Sequence, residues 1–219
     1  MRHPIFEDRR DAGRHLGEAV RALEPVAPVV LGLPRGGVPV AAEVAKALGA
    51  PLDVLFVRKL GAPLQPELAI GAVVDGKTPE VVLNEDIIAE LGLLPGDIAA
   101  ETHRQLAIIE KRREIYGKHQ PVDLAGSTAI VVDDGAATGA TMRVALKGLR
   151  RRGLRRLIAA LPVGSQSAVE LLGSEADDVV CLHAPSSFGA VGYYYRDFSE
   201  VDDAQVIALL ADDEPTASV

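Results

Sequence analysis

The sequence predicts an α/β domain in which a mostly parallel central sheet is flanked by helices. Short apolar runs alternate with helical patterns along the chain, as expected when strands are joined by helical crossovers. The runs are continuous rather than alternating with polar residues, which is typical of strands covered on both faces. Hydrophobic residues make up 48% of the 219 residues, but only four are Phe, four are Tyr and none is Trp. The core must therefore consist mainly of aliphatic side chains.

Helical and strand patterns alternate from the N-terminus. Leu16, Val20 and Leu23 recur at the spacing of one helical face. Gly49 provides a C-terminal stop for the next helix. The elements predicted for this half are a helix at 11–23, a strand at 29–33, a helix at 38–48, a strand at 52–57, short strands at 69–74 and 81–83, a short helix at 85–91 and a long helix at 97–116.

The second half continues the pattern with strands at 130–132, 157–161 and 179–182 and helices near 141–152 and 166–173. Because parallel strands end at one edge of a sheet, the loops that follow them should gather there. We expect one domain over residues 1–210. Residues 185–198 should add a small hood near the termini, and the polar residues 211–219 should form a flexible tail.

Composition excludes several classes of function. A net charge of −8 disfavours a nucleic-acid surface, and the arginine run at 150–152 suits a solvated helix end. No apolar stretch is long enough to span a membrane, and the N-terminus lacks the apolar core of a signal peptide, so we expect a cytoplasmic protein. Cys181 is the single cysteine, and the five histidines have no metal-ligand spacing, which makes a zinc site an unfavourable interpretation.

The stretch from Ala129 to Met142 is the most informative for function. Its apolar strand ends in Asp133 and Asp134, a loop of small residues follows, and a helical pattern begins near Thr141. Backbone N–H groups of such a loop and the positive end of a helix favour phosphate. Two adjacent carboxylates can accept hydrogen bonds from two sugar hydroxyls, so the pattern suits a sugar phosphate. The alternative is an ordinary strand-to-helix turn with capping side chains.

Two further loops follow predicted strands. The first, at 34–37, reads Pro-Arg-Gly-Gly, where the glycines would let a ligand approach the backbone closely. The second begins with Arg58 and Lys59 and contains the turn residues of 61–66. The alternatives are a plain strand-to-helix turn for the first loop and a solvated hairpin with incidental charges for the second.

These three segments, in this order, resemble the type I phosphoribosyltransferases, and the resemblance extends over about residues 29–198. The tail of that range is similar to a bacterial branch of the family with an unidentified acceptor. The resemblance implies a site for 5-phosphoribosyl-1-pyrophosphate (PRPP) in which two acids hold the ribose hydroxyls and the loop wraps the 5-phosphate. That site would comprise Asp133, Asp134, Gly135, Ala136, Ala137, Thr138, Gly139, Ala140 and Thr141.

The resemblance also implies a site for the leaving group. A strained or cis peptide is expected near Pro34–Arg35, and the loop at 61–66 would close over the reacting centre. Arg35 and Lys59 would neutralise the pyrophosphate, Glu67 would lie near the acceptor, and Mg²⁺ would be held mainly by PRPP, with Asp133 and Asp134 reaching it indirectly. The pyrophosphate site would comprise Pro34, Arg35, Gly36, Gly37, Arg58 and Lys59.

For the acceptor, the hood offers Phe188 and Tyr193 as rings on which a flat base could stack, although a hydrophobic plug or a subunit contact explains them equally well. Family members that act on 6-oxopurines commonly carry an Asp where this chain has Ala137, so hypoxanthine and guanine are disfavoured. We expect transfer from PRPP to a small-molecule acceptor of the nucleobase class. A non-catalytic PRPP or nucleotide-binding regulator is the alternative, and a homodimer stays open. No P-loop NTPase motif occurs.

Overall fold

Eight strands and seven helices alternate along the part of the chain that the structure describes, residues 4–63, 65–117 and 121–212 of a computed structural model. The strands are β1 (Pro28–Gly32), β2 (Leu52–Val54), β3 (Val57–Ala62), β4 (Gln65–Val74), β5 (Glu80–Leu83), β6 (Thr128–Val132), β7 (Arg156–Val163) and β8 (Asp178–His183). The helices are α1 (Arg9–Arg21), α2 (Gly37–Leu48), α3 (Glu85–Leu91), α4 (Pro95–Ile115), α5 (Ala140–Leu149), α6 (Gln166–Gly173) and α7 (Asp203–Ala211).

Five of the strands form a parallel sheet in the order β2-β1-β6-β7-β8, which confirms the predicted fold class. Val30 pairs with Ile130, and Ile130 with Ile158, so three apolar side chains line one face of the sheet. α1 and α2 cover that face, and α5 and α6 cover the other. Because β1 and β6 are neighbours, the loops that follow them lie side by side.

The run predicted as a single strand at 52–57 is divided between β2 and the start of β3. β3 pairs with β4, and β4 with β5, in a second, antiparallel sheet. β2 ends at Val54 because the chain then changes partners. The N–H of Leu55 still donates to Gly32 of the central sheet, whereas the carbonyl of Phe56 accepts from Asp75 at the end of β4. Apolar periodicity carries no information on this change of partner, so the sequence could not divide the run.

The hood packs as a hydrophobic plug against the N-terminal segment. Tyr194 and Tyr195 are buried with Phe6 and Ala12, and the N–H of Phe6 donates to the carbonyl of Tyr194. α7, which the sequence analysis did not predict, follows the hood and packs on α2. Of the expected tail, Ala211 ends α7, and residues 213–219 lie outside the described residues. Within the described ranges no helix is long and apolar enough to cross a membrane.

Candidate functional site

The acid pair lies against the Gly36–Gly37 turn at the carboxyl edge of the parallel sheet. A Cβ built on Gly37 would come within 2.7 Å of the carbonyl of Val132, and one built on Gly36 would overlap the carboxylate of Asp134. Position 37 therefore requires glycine, because the clash there is with the backbone, whereas a side chain at position 36 would displace the Asp134 carboxylate. The turn and the acid pair thus form one packed unit. The close approach of a ligand to these glycines stays a prediction.

Backbone donors converge in the loop between Asp134 and α5. Gly139 adopts a left-handed conformation with φ of 70°, which turns the chain into the helix. Among the described residues, none accepts a hydrogen bond from the N–H groups of Ala137, Thr138, Gly139 or Thr141. Unpaired N–H groups at a helix N-terminus bind anions. The N–H of Ala136, by contrast, is bonded to the carbonyl of Val163 and holds the loop on β7.

Arg9 of α1 forms an ion pair with Asp134. Its Nε lies 2.7 Å from Asp134 Oδ2, its guanidinium stacks 3.9 Å above the ring of Phe198, and a second nitrogen donates to the carbonyl of Ser199. The hydroxyl of Tyr195 donates to the main-chain carbonyl of Asp134 at 2.5 Å. Sequence reasoning missed Arg9, because it is 125 residues away from its partner along the chain.

Burial makes both acids harder to ionise. The pKa of Asp133 is raised well above its ordinary value of 3.8, first by loss of hydration and then by the charge of Asp134. Burial also raises the pKa of Asp134, against the opposing effect of its bond to Arg9. A carboxylate that is poorly hydrated accepts strongly from a ligand hydroxyl that replaces the missing water. The charge of Arg9 opposes the rise in the pKa of both acids.

A cleft of about 300 Å³ includes Pro34 and Arg35, next to the Gly36–Gly37 turn, and three arginines line it. They are Arg35, Arg58 and Arg112, so we call it the arginine cleft. Thr141, in the first turn of α5, lines the same cleft. The Pro34–Arg35 peptide is cis, as the resemblance implied. Arg58 donates to Gln105 of α4 at 3.0 Å. Arg112 was not singled out from the sequence, because it is one of many charged residues on a long helix.

Lys59 and Glu67 lie on the β3–β4 hairpin instead. Lys59 Nζ lies 3.1 Å from Glu67 Oε2, and the Glu67 side chain is 99% exposed. The pair does not line the arginine cleft. The loop expected at 61–66 forms the tip of this hairpin, and its Leu64 lies outside the described residues.

The two hood rings proposed for the acceptor differ in environment. Phe188 stacks on the buried Tyr194, with ring centroids 5.4 Å apart, whereas the Tyr193 side chain is 66% exposed. Phe188 thus belongs to the edge of the hydrophobic plug, and only Tyr193 presents an open ring.

The donor set suits a hard cation only when a ligand supplies most of the oxygens. Asp133 and Asp134 offer carboxylate oxygens, which Mg²⁺ prefers. Over the described ranges, no group of three or more His, Cys, Asp or Glu side chains could hold a metal ion on its own. A magnesium ion here would depend on phosphate oxygens for its remaining ligands.

Comparison with known proteins gives a consistent result. The family model described as "Phosphoribosyl transferase domain" matches residues 9–197. A Mycobacterium tuberculosis protein with the provisional name phosphoribosyl transferase is 46% identical over 207 residues, which are 94% of this chain but 46% of that relative. The chain thus spans about half the length of this relative. A crystal structure of a Thermus thermophilus protein is 47% identical, with a TM-score of 0.82, and the match covers 94% of this chain and 98% of that one.

Proposed function

The chain belongs to the phosphoribosyl transferase domain family, and from this we propose that it transfers the 5-phosphoribosyl group of PRPP to an acceptor of the nucleobase class, with release of pyrophosphate. The observation that carries the proposal is the meeting of three anion- or hydroxyl-binding features at one sheet edge. They are the acid pair, the unpaired N–H groups of Ala137, Thr138, Gly139 and Thr141, and the arginine cleft. Together they match a ribose that bears phosphate groups at both ends.

Each feature has a separate task in the proposed reaction. Asp133 and Asp134 accept hydrogen bonds from the ribose hydroxyls, and the N–H groups of the loop hold the 5-phosphate. Arg35 and Arg58 bind the pyrophosphate, which leaves ribose C1 with the bonding electron pair as the acceptor nitrogen bonds to that carbon. The sugar is cationic in between, so catalysis rests on positioning and charge stabilisation.

Asp134 must release Arg9 before its carboxylate can bind the ribose hydroxyls. Arg9 holds Asp134 Oδ2 at 2.7 Å, and the ribose hydroxyls need the same oxygens. In the proposal Arg9 moves toward Ser199, which it already contacts, when the sugar binds. Mg²⁺ would be held by pyrophosphate oxygens, with Asp133 and Asp134 reaching it indirectly, and would add positive charge at the leaving group.

The hairpin supplies the two remaining groups of the proposal. Lys59 would reach the pyrophosphate, and Glu67 the acceptor, when the hairpin tip closes over the cleft. Ala137 cannot move a proton, so an acceptor that must lose one would depend on Glu67. Tyr193 is the ring on which the base would stack, with Phe188 behind it.

Pyrophosphate release tests the proposal directly. The full chain is incubated with PRPP, Mg²⁺ and a panel of nucleobases, and pyrophosphate is measured. We expect release with at least one base, and a loss of about 100-fold or more in kcat/KM for Asp134→Asn, because ribose positioning contributes several kcal/mol. The control is Glu170→Gln, an exposed carboxylate of α6 that belongs neither to the acid pair nor to the lining of the cleft. Equal activity of Asp134→Asn and the wild type would refute the role of the acid pair.

A PRPP- or nucleotide-binding regulator on the same fold is the second candidate. The ion pair between Arg9 and Asp134 favours it, because a sensor needs a defined unliganded state. The two functions differ in one result. Calorimetric binding of PRPP without pyrophosphate release for any acceptor would support the regulator and exclude the enzyme.

A further inference from the structure

Two carboxylates from the C-terminal part of the chain form ion pairs with arginines of the cleft. Arg35 forms an ion pair with Glu200, and Arg112 lies 2.8 Å from Asp203. The hydroxyl of Tyr116, also in the cleft lining, donates to the second oxygen of Asp203 at 2.8 Å. Glu200 lies in the segment between the hood and α7, and Asp203 is the first residue of α7.

From this arrangement, and resting on the proposed function, we infer that Arg112 is a third arginine ligand of the pyrophosphate group, and that Glu200 and Asp203 occupy its place on Arg35 and Arg112 until it binds. No sequence motif marks Arg112. It comes from the last turn of α4, whereas Arg35 follows β1 and Arg58 lies in β3.

The charges explain why a third cation is needed. Pyrophosphate carries several negative charges, and of the three guanidinium groups Arg58 is shared with Gln105. Arginine binds phosphate oxygens through two parallel N–H bonds, and it binds a carboxylate in the same way. A carboxylate can therefore bind the same guanidinium in place of a phosphate, but it binds more weakly.

Exposure indicates that the two carboxylates can leave. The Glu200 side chain is 80% exposed, and those of Asp203 and Arg112 are 37% and 46% exposed. Ion pairs this open contribute little to stability. Their release would cost little, whereas pyrophosphate would gain two vacant guanidinium groups.

The test uses inorganic pyrophosphate with Mg²⁺ as the probe and isothermal titration calorimetry on the full chain. Arg112→Gln should weaken pyrophosphate binding about tenfold or more, because a charge-assisted bidentate contact is lost. Its control is Lys111→Gln, which removes the same charge from the neighbouring position of α4 outside the cleft. The double variant Glu200→Gln/Asp203→Asn should tighten binding roughly threefold or more, because two competing ion pairs are gone.

Asp212→Asn, which removes one exposed carboxylate at the other end of α7, is the control for the loss of each carboxylate and should leave the affinity unchanged. If the double variant does not fold, Glu200→Gln alone, in a loop, should still tighten binding. The inference is overturned if Arg112→Gln binds pyrophosphate like Lys111→Gln, or if removal of the carboxylates tightens binding no more than Asp212→Asn.

The same titrations separate this inference from the proposed function. If pyrophosphate binding follows the expected pattern while PRPP is neither bound nor consumed, the anion site stands and the transferase proposal falls. If PRPP is turned over equally well by Arg112→Gln and the wild type, the transferase proposal stands and Arg112 is excluded as a ligand.

Discussion

At the scale of single residues, Asp133 is the acid of the candidate site whose ionisation is most unfavourable. Its carboxylate is short of hydration, and its one hydrogen-bond donor among the described residues is the N–H of Asp134 at 2.9 Å. The neighbouring carboxylate adds repulsion. Such a group lowers the stability of the unliganded protein, but it favours ligand binding because ligand hydroxyls complete its hydrogen bonds.

Asp133→Asn should therefore stabilise the protein while abolishing PRPP binding. Because the pKa of Asp133 is raised on folding, the folded state binds more protons than the unfolded state above pH 3.8, and stability falls as the pH rises through the folded pKa. The variant does not lose stability in this way as the pH rises, because Asn does not ionise. Its melting temperature should exceed that of the wild type by a few degrees at pH 8, and the difference should vanish near pH 4.

Asp123→Asn provides the control of opposite sign. The pKa of Asp123 is lowered by a hydrogen bond from the N–H of Ala125 and by Lys77, so its contribution to stability is present above pH 3.8 and is lost as the pH falls. In thermal unfolding between pH 4 and pH 8, Asp133→Asn should exceed the wild type by a margin that grows with pH, whereas Asp123→Asn should lie below the wild type by a constant margin, because Asp123 titrates only below pH 3.8. A pH-independent difference for Asp133→Asn would contradict the assigned burial cost.

At the scale of elements, periodicity and turn chemistry predicted most helices and strands to within a few residues. Glu85–Leu91 appears as predicted, and the loops after β1 and β6 follow strands as expected, whereas Arg58 and Lys59, predicted in a loop, lie within β3. α7 was missed although Asp202 and Gln205 form a capping box that the sequence contains. The Arg9–Asp134 contact left no signal, because local patterns do not report which distant side chains meet.

The β3–β4 hairpin is the element whose proposed role most needs a test. Its Lys59–Glu67 pair is open to solvent, and an exposed pair contributes at most about 1 kcal/mol. Glu67→Gln should therefore change the free energy of unfolding by less than about 1 kcal/mol. If the hairpin closes over the acceptor, the same variant should lower kcat about 100-fold, as for a lost acid–base group.

Glu170→Gln again serves as the matched control, since it removes an exposed carboxylate from α6. Initial rates with saturating PRPP, together with urea unfolding, measure both quantities. An unchanged kcat would assign Glu67 to a solvated hairpin with no part in the chemistry.

At the scale of the whole molecule, one buried arginine joins the two sheets to α4. Arg113 Nε lies 2.6 Å from Asp75 Oδ2 at the end of β4, and its other nitrogens reach Asp53 of β2 and the carbonyl of Val54. All three charged side chains are at most 6% exposed. Asp53 also accepts from the N–H of Val122 before β6. Nothing in the sequence indicated this network, because a charged residue gives no sign that it will be buried with partners.

Arg113→Met should destabilise the protein by about 3–5 kcal/mol, because it leaves two carboxylates buried without a counter-charge. Burial already raises the pKa of Asp75, and Arg113 is the largest effect that opposes this rise. Without Arg113 the Asp75 carboxylate should take up a proton at higher pH, so the deficit should be larger at pH 8 than at pH 5. Urea unfolding at the two pH values measures it.

The triple variant Asp53→Asn/Asp75→Asn/Arg113→Met separates the burial of charge from the loss of packing. If uncompensated charge causes the deficit, removing all three charges should recover more than half of it and abolish its pH dependence. Lys111→Gln, an exposed charge change on α4, should lie within about 0.5 kcal/mol of the wild type. A triple variant no more stable than Arg113→Met would show instead that the hydrogen bonds to Val54 and Val122 hold the two sheets on α4, so that the cleft-bearing end of the helix depends on them.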